Sequence, residues 1–395
     1  MKKRLCRNLW VTLLVLMIIS MSSTVIASEK SIFENESMQL YKFGLYKGIS
    51  ADPFNFGLRL LADRETGIEM LMRLIREEQK ARNLDDRKVN QVFTSPENIV
   101  TLPDNLKVIK LGSNIYISYR YLKNTDMHLV FGKCGVNNLM GIKAIYFDTN
   151  SSKEVSPYIT KRSICFMEAC TDWISPYVVE SLEHDDGGQY CFTGGWHGNK
   201  INGKEEPTAK TEGFSFKIKG KELEDNKLYV SDCVEITATN FIQAYNTKDI
   251  KVNVLEEIVK YKITPKKINV EVVFTALEKA LLKRYYGLQT QNTQYKGVEY
   301  SNGISSDCMI YSDSGPYNKS NIADSFTLIS KSNLYRMIVT LENGYGLGDF
   351  GNLSNEKPTI FTENYGKTYF NLVNGIDKIL NKGDSAEWKG SYEFN

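Results

Sequence analysis

The chain has few histidines, tryptophans and prolines: 3, 4 and 9 among 395 residues. With only His128, His184 and His197 present, a histidine-rich metal centre is excluded, and any imidazole chemistry falls on one of these three. Charge of one sign is also missing. Lys and Arg total 49 against 47 acids, a formal charge of +2, so no bulk electrostatic reason exists to bind nucleic acid. No G-x-S-x-G elbow occurs, which removes the α/β-hydrolase reading. The glycine-rich "GYGLGDFGN" at 344–352 lacks the strand–G-x-G-x-x-G–helix context of a dinucleotide site. Beyond the N-terminus no apolar run is long enough to span a bilayer, which takes about 20 residues.

What is present begins with an address. "MKKRLCRN-LWVTLLVLMIISM-SSTVIA" has a basic start, a short apolar stretch and small residues ending at Ala27. That is the pattern of a secretory signal over residues 1–27, with cleavage expected after Ala27. Its removal takes away Lys2, Lys3, Arg4 and Arg7 and no acid, moving the formal charge from +2 to −2. The expected product is secreted and has no stable membrane insertion. Six of the 7 cysteines remain, and secretion permits disulfides without fixing their pairing. The spacing of Cys165, Cys170, Cys191 and His197 does not suit a zinc knuckle, so no metal centre is expected there.

Residues 33–82 carry helical patterns. Met38, Leu40, Tyr41 and Leu45 form a short one. Asp63 is a good N-cap for a second that runs through Ile68, Leu71, Met72 and Ile75. "LYKFGLYKGIS…DPFNFGLRLLADRETGIEMLMRLI" resembles a single S-layer homology repeat. The resemblance implies attachment to a secondary cell-wall polymer, with Arg64 as a candidate contact and a cell-wall location. The rival reading is a helical hairpin that only packs on its neighbour. Residues 83–104, with Pro96 and Pro103, read as a linker.

From residue 105 the period changes to two. "EGFSFKIKGKEL" alternates through Phe214, Phe216 and Ile218 and turns at Gly220-Lys221. "KINVEVVFTALE" alternates through Ile268, Val270, Val272 and Phe274. "TALEKALLKRYYGLQ" is ambiguous between helix and strand and leans to strand. Short strands with turn signals between them predict a mainly β fold, a large β-sandwich over residues 105–395. The C-terminal "GDSAEWKGSYEFN" places Trp388, Gly390, Tyr392 and Phe394 in alternation. It resembles the closing strands of galactose-mutarotase-like and polysaccharide-lyase supersandwiches, which implies a carbohydrate-related domain. "TDWISPYVV", "FTGGWHG", "PTAKT", "NFIQAYNTK" and "RYYGLQ" together resemble a bacterial surface or phage-tail-associated domain, which implies no particular activity.

The candidate site is "DGGQYCFTGGWHGN" at 186–199. Glycines around Trp196 and His197 hold both side chains on a tight loop. An indole face stacks on a sugar and an imidazole hydrogen-bonds or exchanges a proton with a hydroxyl. Upstream, "EACTDWISPY" supplies Asp172 to orient His197 as an acid/base pair, with Trp173 nearby. Arg284, Tyr285 and Tyr286 add a cation and two phenols. The expected catalytic groups are therefore His197, Asp172 and Tyr285; the expected ligand contacts are Trp196, Trp173, Arg284, Tyr286 and Arg64. One of Glu256 and Glu257 is expected to point inward. His128, within "DMHLVF", is expected to be a strand residue. No cofactor is expected, although the oxygen-rich turns "HDDGG" at 184–188 and "SDSGPYNKSN" at 312–321 are Ca²⁺ candidates. The reading is a secreted envelope protein that binds or processes a polysaccharide, as a lyase, epimerase or hydrolase if it is an enzyme. The alternative is a non-catalytic adhesion or structural surface protein.

Overall fold

The computed structural model describes residues 105–168, 172–201, 204–247, 249–315 and 321–395. The signal segment, the S-layer-like module with Arg64, and the expected linker lie outside the described residues. The described residues fall within the second of two units, Thr101–Asn395. Among them the regular elements are strands and two short 3₁₀ turns. No helix among them is long and apolar enough to cross a membrane.

A ten-stranded sheet forms one layer. In spatial order its strands are Lys221–Glu222, Ala209–Ile218, Val234–Gln243, Asn253–Thr264, Lys267–Ala276, Ser385–Phe394, Arg336–Leu341, Ser325–Ser330, Tyr295–Tyr300 and Ser305–Asp307. The expected alternation appears here. Ile268, Val270, Val272 and Phe274 are buried while their neighbours are half exposed. Trp388, Gly390, Tyr392 and Phe394 alternate inward along the last strand. The segment left between helix and strand is a strand, Ala280–Tyr285. The outer face carries ion pairs such as Lys260–Glu271 at 2.8 Å and Lys389–Glu271 at 3.3 Å.

The inner face is covered by two sheets. A six-stranded sheet runs Leu228–Ser231, Leu106–Leu111, Asn114–Leu122, Thr125–Cys134, Leu139–Thr149 and Ile164–Glu168. Its Phe131 meets Tyr261 of the ten-stranded sheet edge-on at 5.2 Å. A four-stranded sheet runs Asn352–Leu353, Val373–Leu380, Ala280–Tyr285 and Tyr177–Ser181. Its Tyr177 meets Phe274 at 5.4 Å. Sheets packed face to face through apolar side chains are the sandwich arrangement. A second four-stranded sheet, Gln289–Gln291, Lys367–Phe370, Ile360–Glu363 and Ser312–Asp313, adjoins the site described next.

Candidate functional site

The site is built on the turn between Phe192 and Gly198. Gly194 and Gly195 take φ of +75° and +51°, a left-handed conformation that favours glycine. A Cβ on Gly195 would collide with the Asp172 carboxylate, so only glycine fits. His197 N donates to Gly194 O at 2.9 Å and closes the turn. Buried Asn137 staples it from below: Nδ2 donates to Gly195 O at 2.8 Å and to His197 O at 2.9 Å, while Oδ1 accepts from Thr208 N at 2.7 Å. Thr208 Oγ1 donates to His197 O as well. The turn is thus pre-organised by a buried network in which Asn137 Oδ1 also accepts from Ala209 N and Thr208 Oγ1 accepts from Gly194 N.

This geometry accounts for a histidine among glycines. The His197 side chain stands 44% exposed, with Nε2 at 3.5 Å from Oδ2 of Asp172, which is only 3% exposed. The other Asp172 oxygen accepts from Trp196 N. Asp172 therefore sets both the backbone and the imbalance of charge beside the imidazole. The distance is long for a direct hydrogen bond and short enough for an ion pair when the ring is protonated.

An aromatic wall continues from the imidazole. Phe192 lies 5.4 Å from the His197 ring and 5.6 Å from Tyr286. Tyr286 in turn meets Tyr369 at 5.1 Å and Phe361 at 5.4 Å. Phe361 and Tyr369 form a direct cross-strand pair and stack at 5.0 Å. Tyr190, Tyr311 and Tyr365 are about half exposed around this wall. Burial pushes the Tyr286 phenol up to about 12, with the charge of Arg284 pulling the other way. Tyr311 is pushed up to about 12 by burial and by Asp313, whose Oδ1 accepts its hydroxyl at 2.7 Å. These phenols remain neutral donors at physiological pH.

Several expected residues take other places. Tyr285 is not at the surface: its ring stacks on Tyr177 at 4.5 Å and its hydroxyl accepts from Trp388 Nε1 at 2.8 Å. A strand sends successive side chains to opposite faces, so Tyr285 enters the core and Tyr286 leaves it. Trp173 is also buried, edge-on against Tyr392 at 5.0 Å. Trp196 is half-buried and packs over Gly135, where a Cβ would approach its Cγ to 2.8 Å. Arg284 lies at the rim, its guanidinium carbon 5.9 Å from the Tyr190 ring centre. Glu257 is the inward glutamate. It is buried, accepts from Tyr177 Oη and Asn240 Nδ2 at 2.7 Å each, and burial raises its proton affinity. It shares with Asp172, Trp196, Asn240 and Tyr261 a cavity of about 50 Å³ behind the loop. One water needs roughly 10–15 Å³, so the cavity has room for a few waters and not for a sugar ring.

The acids of the 184–188 turn hold backbone, whereas residues 316–320 of the 312–321 turn lie outside the described residues. Asp186 Oδ2 accepts from Asp249 N at 2.6 Å, and Asp185 Oδ1 accepts from Gly187 N at 2.8 Å. Among the described residues no three His, Cys, Asp or Glu side chains gather as a metal site. Cys134 and Cys308 are buried thiols, pushed up to about 11 and about 12 by burial.

Phe192 and the hairpin aromatics were missed in the sequence. "QYCF" before the glycines and the spacing of Phe361, Tyr365 and Tyr369 around a Gly366 turn were the available signals.

No family model and no curated protein matches the chain. Among solved structures, it is similar to a GH36 alpha-galactosidase from Geobacillus stearothermophilus in complex with stachyose, at 9% identity and a TM-score of 0.37. That likeness covers 73% of this chain and 40% of the galactosidase, so the chain spans less than half of that protein. A galactose mutarotase-like protein from Clostridium acetobutylicum matches at 9% identity and a TM-score of 0.31, over 74% of this chain and 97% of the other. A galactose mutarotase related enzyme from Lactobacillus acidophilus matches at 10% and 0.31, over 70% and 97%. At these values the function rests on the site alone.

Proposed function

We propose that the protein is a secreted, cell-wall-associated glycan-binding protein whose β domain holds a polysaccharide on the surface formed by His197, Phe192 and Tyr286. The observation that carries this is the exposed imidazole of His197, fixed beside Asp172 at one end of an aromatic wall. Rings offer their faces to the apolar side of a sugar, and His197, Tyr286 and Arg284 offer hydrogen bonds to its hydroxyls. In this reading Arg64 of the S-layer-like segment contacts the wall polymer. A second reading is favoured by the Asp172–His197 contact: a carboxylate orienting an imidazole is the arrangement of a general acid/base, which makes the site catalytic.

A glycan array probed with residues 28–395 tests the reading, repeated with His197→Ala. Binding of a defined glycan, weakened by the substitution, is expected. If the wild type and His197→Ala also differ about 10²–10⁴-fold in turnover of that glycan, the catalytic reading holds. An array with no glycan retained contradicts both.

A further inference from the structure

The proposed surface contains a positive charge that no carboxylate among the described residues balances. Arg284 lies on the outward side of its strand, between Tyr190 and Tyr286. Its neighbour Lys283 is paired with Glu180 at 2.7 Å, and the buried Arg120 is paired with Asp126 at 2.7 Å. Arg284 is only partly exposed, yet among the described residues it forms no ion pair. Its guanidinium hydrogen-bonds the Tyr286 phenol, and among the described residues its buried Nε has no hydrogen-bond partner.

A guanidinium keeps its charge at every pH a folded protein meets. Withdrawing part of that charge from water is unfavourable unless a carboxylate or another oxyanion offsets it. The planar fork of N–H groups matches carboxylate and phosphate oxygens two at a time. Its flanks are suited to the same ligand: Tyr190 and Tyr286 carry hydroxyls that can hydrogen-bond it, and His197 lies beyond Phe192 on the same wall. The nearby carboxylates are engaged elsewhere. Asp172 holds Trp196 N and faces His197, and Asp313 takes the Tyr311 hydroxyl. Glu363 neighbours Asp313 and Tyr365 and makes no ion pair with Arg284.

We infer that Arg284 is an oxyanion-binding residue and that the ligand is an anionic glycan, bearing a carboxylate or a phosphate next to the ring that lies on Phe192 and Tyr286. The inference rests on the glycan-binding reading above. It narrows the ligand from polysaccharides in general to acidic ones.

Calorimetric titration with three probes tests it: an oligogalacturonate, its neutral methyl ester, and a 6-phosphorylated oligogalactoside. The wild type is expected to prefer one of the two anionic probes over the ester by about tenfold or more. Which one it prefers distinguishes carboxylate from phosphate. Arg284→Gln should remove that preference, so that the anionic probe binds no better than the ester does to the same variant, and Arg284→Lys should restore part of it. Circular dichroism of each variant checks that the fold is kept. Equal binding of ester and anionic probes by the wild type overturns the inference and leaves the glycan reading standing. So does a preference that survives in Arg284→Gln. If none of the three probes binds while the array retains a neutral glycan, the inference falls and the glycan reading stands.

Discussion

His128 and His197 are the same side chain in opposite surroundings. His128 sits on the central strand Thr125–Cys134 of the six-stranded sheet, fully buried, with Nδ1 at 2.7 Å from Ser118 Oγ and Nε2 without a hydrogen-bond partner among the described residues. Burial lowers its proton affinity despite Asp126 and Asp148 nearby. His197 sits on a glycine turn, nearly half exposed, facing Asp172. The difference is made by the backbone. Strand alternation delivers His128 to the core, whereas two left-handed glycines and the Asn137 staple hold His197 out. Around His128 a polar group is a constraint on stability; around His197 it is available for a ligand.

The comparison is sharpened most by breaking the buried pair that accompanies His128. Arg120 and Asp126 are both almost wholly buried, and the guanidinium also donates to the carbonyls of Lys123, Asn150 and Ser152. Asp126→Asn leaves that charge unbalanced and is expected to cost about 3–5 kcal/mol in a urea melt. Glycan affinity of the folded fraction should not change, since the pair serves the scaffold.

A smaller loss of stability and a larger loss of binding is expected at the turn. Gly195→Ala forces a side chain into a left-handed conformation and against Asp172. The expected cost is about 1–3 kcal/mol, and the displaced Trp196–His197 segment should lose its ligand. A Gly195→Ala protein that binds normally would show that the fixed turn is unnecessary.

The smallest effect is a pH slope. Because the folded-state pKa of His128 is lowered, the unfolded chain takes up a proton before the native protein does. Stability should therefore fall as pH drops below about 6.5, by at most about 1.4 kcal/mol per unit, until the folded pKa is reached. Unfolding free energies of the wild type and His128→Gln, measured across this range, check it. The difference between the two should shrink as pH falls; a constant difference would mean that His128 titrates alike in both states.

Much of the scaffold was legible because alternation is a local property. Ile268 to Phe274 and Trp388 to Phe394 declare an inner face without knowledge of their partners. The loop that carries His197 was legible for a similar reason, since clustered glycines beside one of three histidines are a local signal. Parity was not legible at Tyr285 and Tyr286. The register shift between Leu282 and Arg284 decides which phenol turns inward, and a shift of one residue exchanges the faces. Nor was the wall legible, because Phe361 and Tyr369 come from a hairpin far along the chain and meet Tyr286 only through the packing of sheets. Trp173 lies close to Asp172 in sequence, yet the chain turns its ring into the core against Tyr392.

The surface and the buried polar cluster each hold a carboxylate and tyrosines, and one pair of variants separates them. Phe192→Ala removes the ring between His197 and Tyr286, whereas Tyr177→Phe removes only the hydroxyl that donates to buried Glu257 at 2.7 Å. The most direct measurement is the affinity of both variants, side by side, for a glycan that the wild type binds. Phe192→Ala should lose about tenfold in affinity with little change in melting temperature, and Tyr177→Phe should keep its affinity and lose stability. Retained affinity in Phe192→Ala with lost affinity in a folded Tyr177→Phe would place the ligand in the interior and contradict the account.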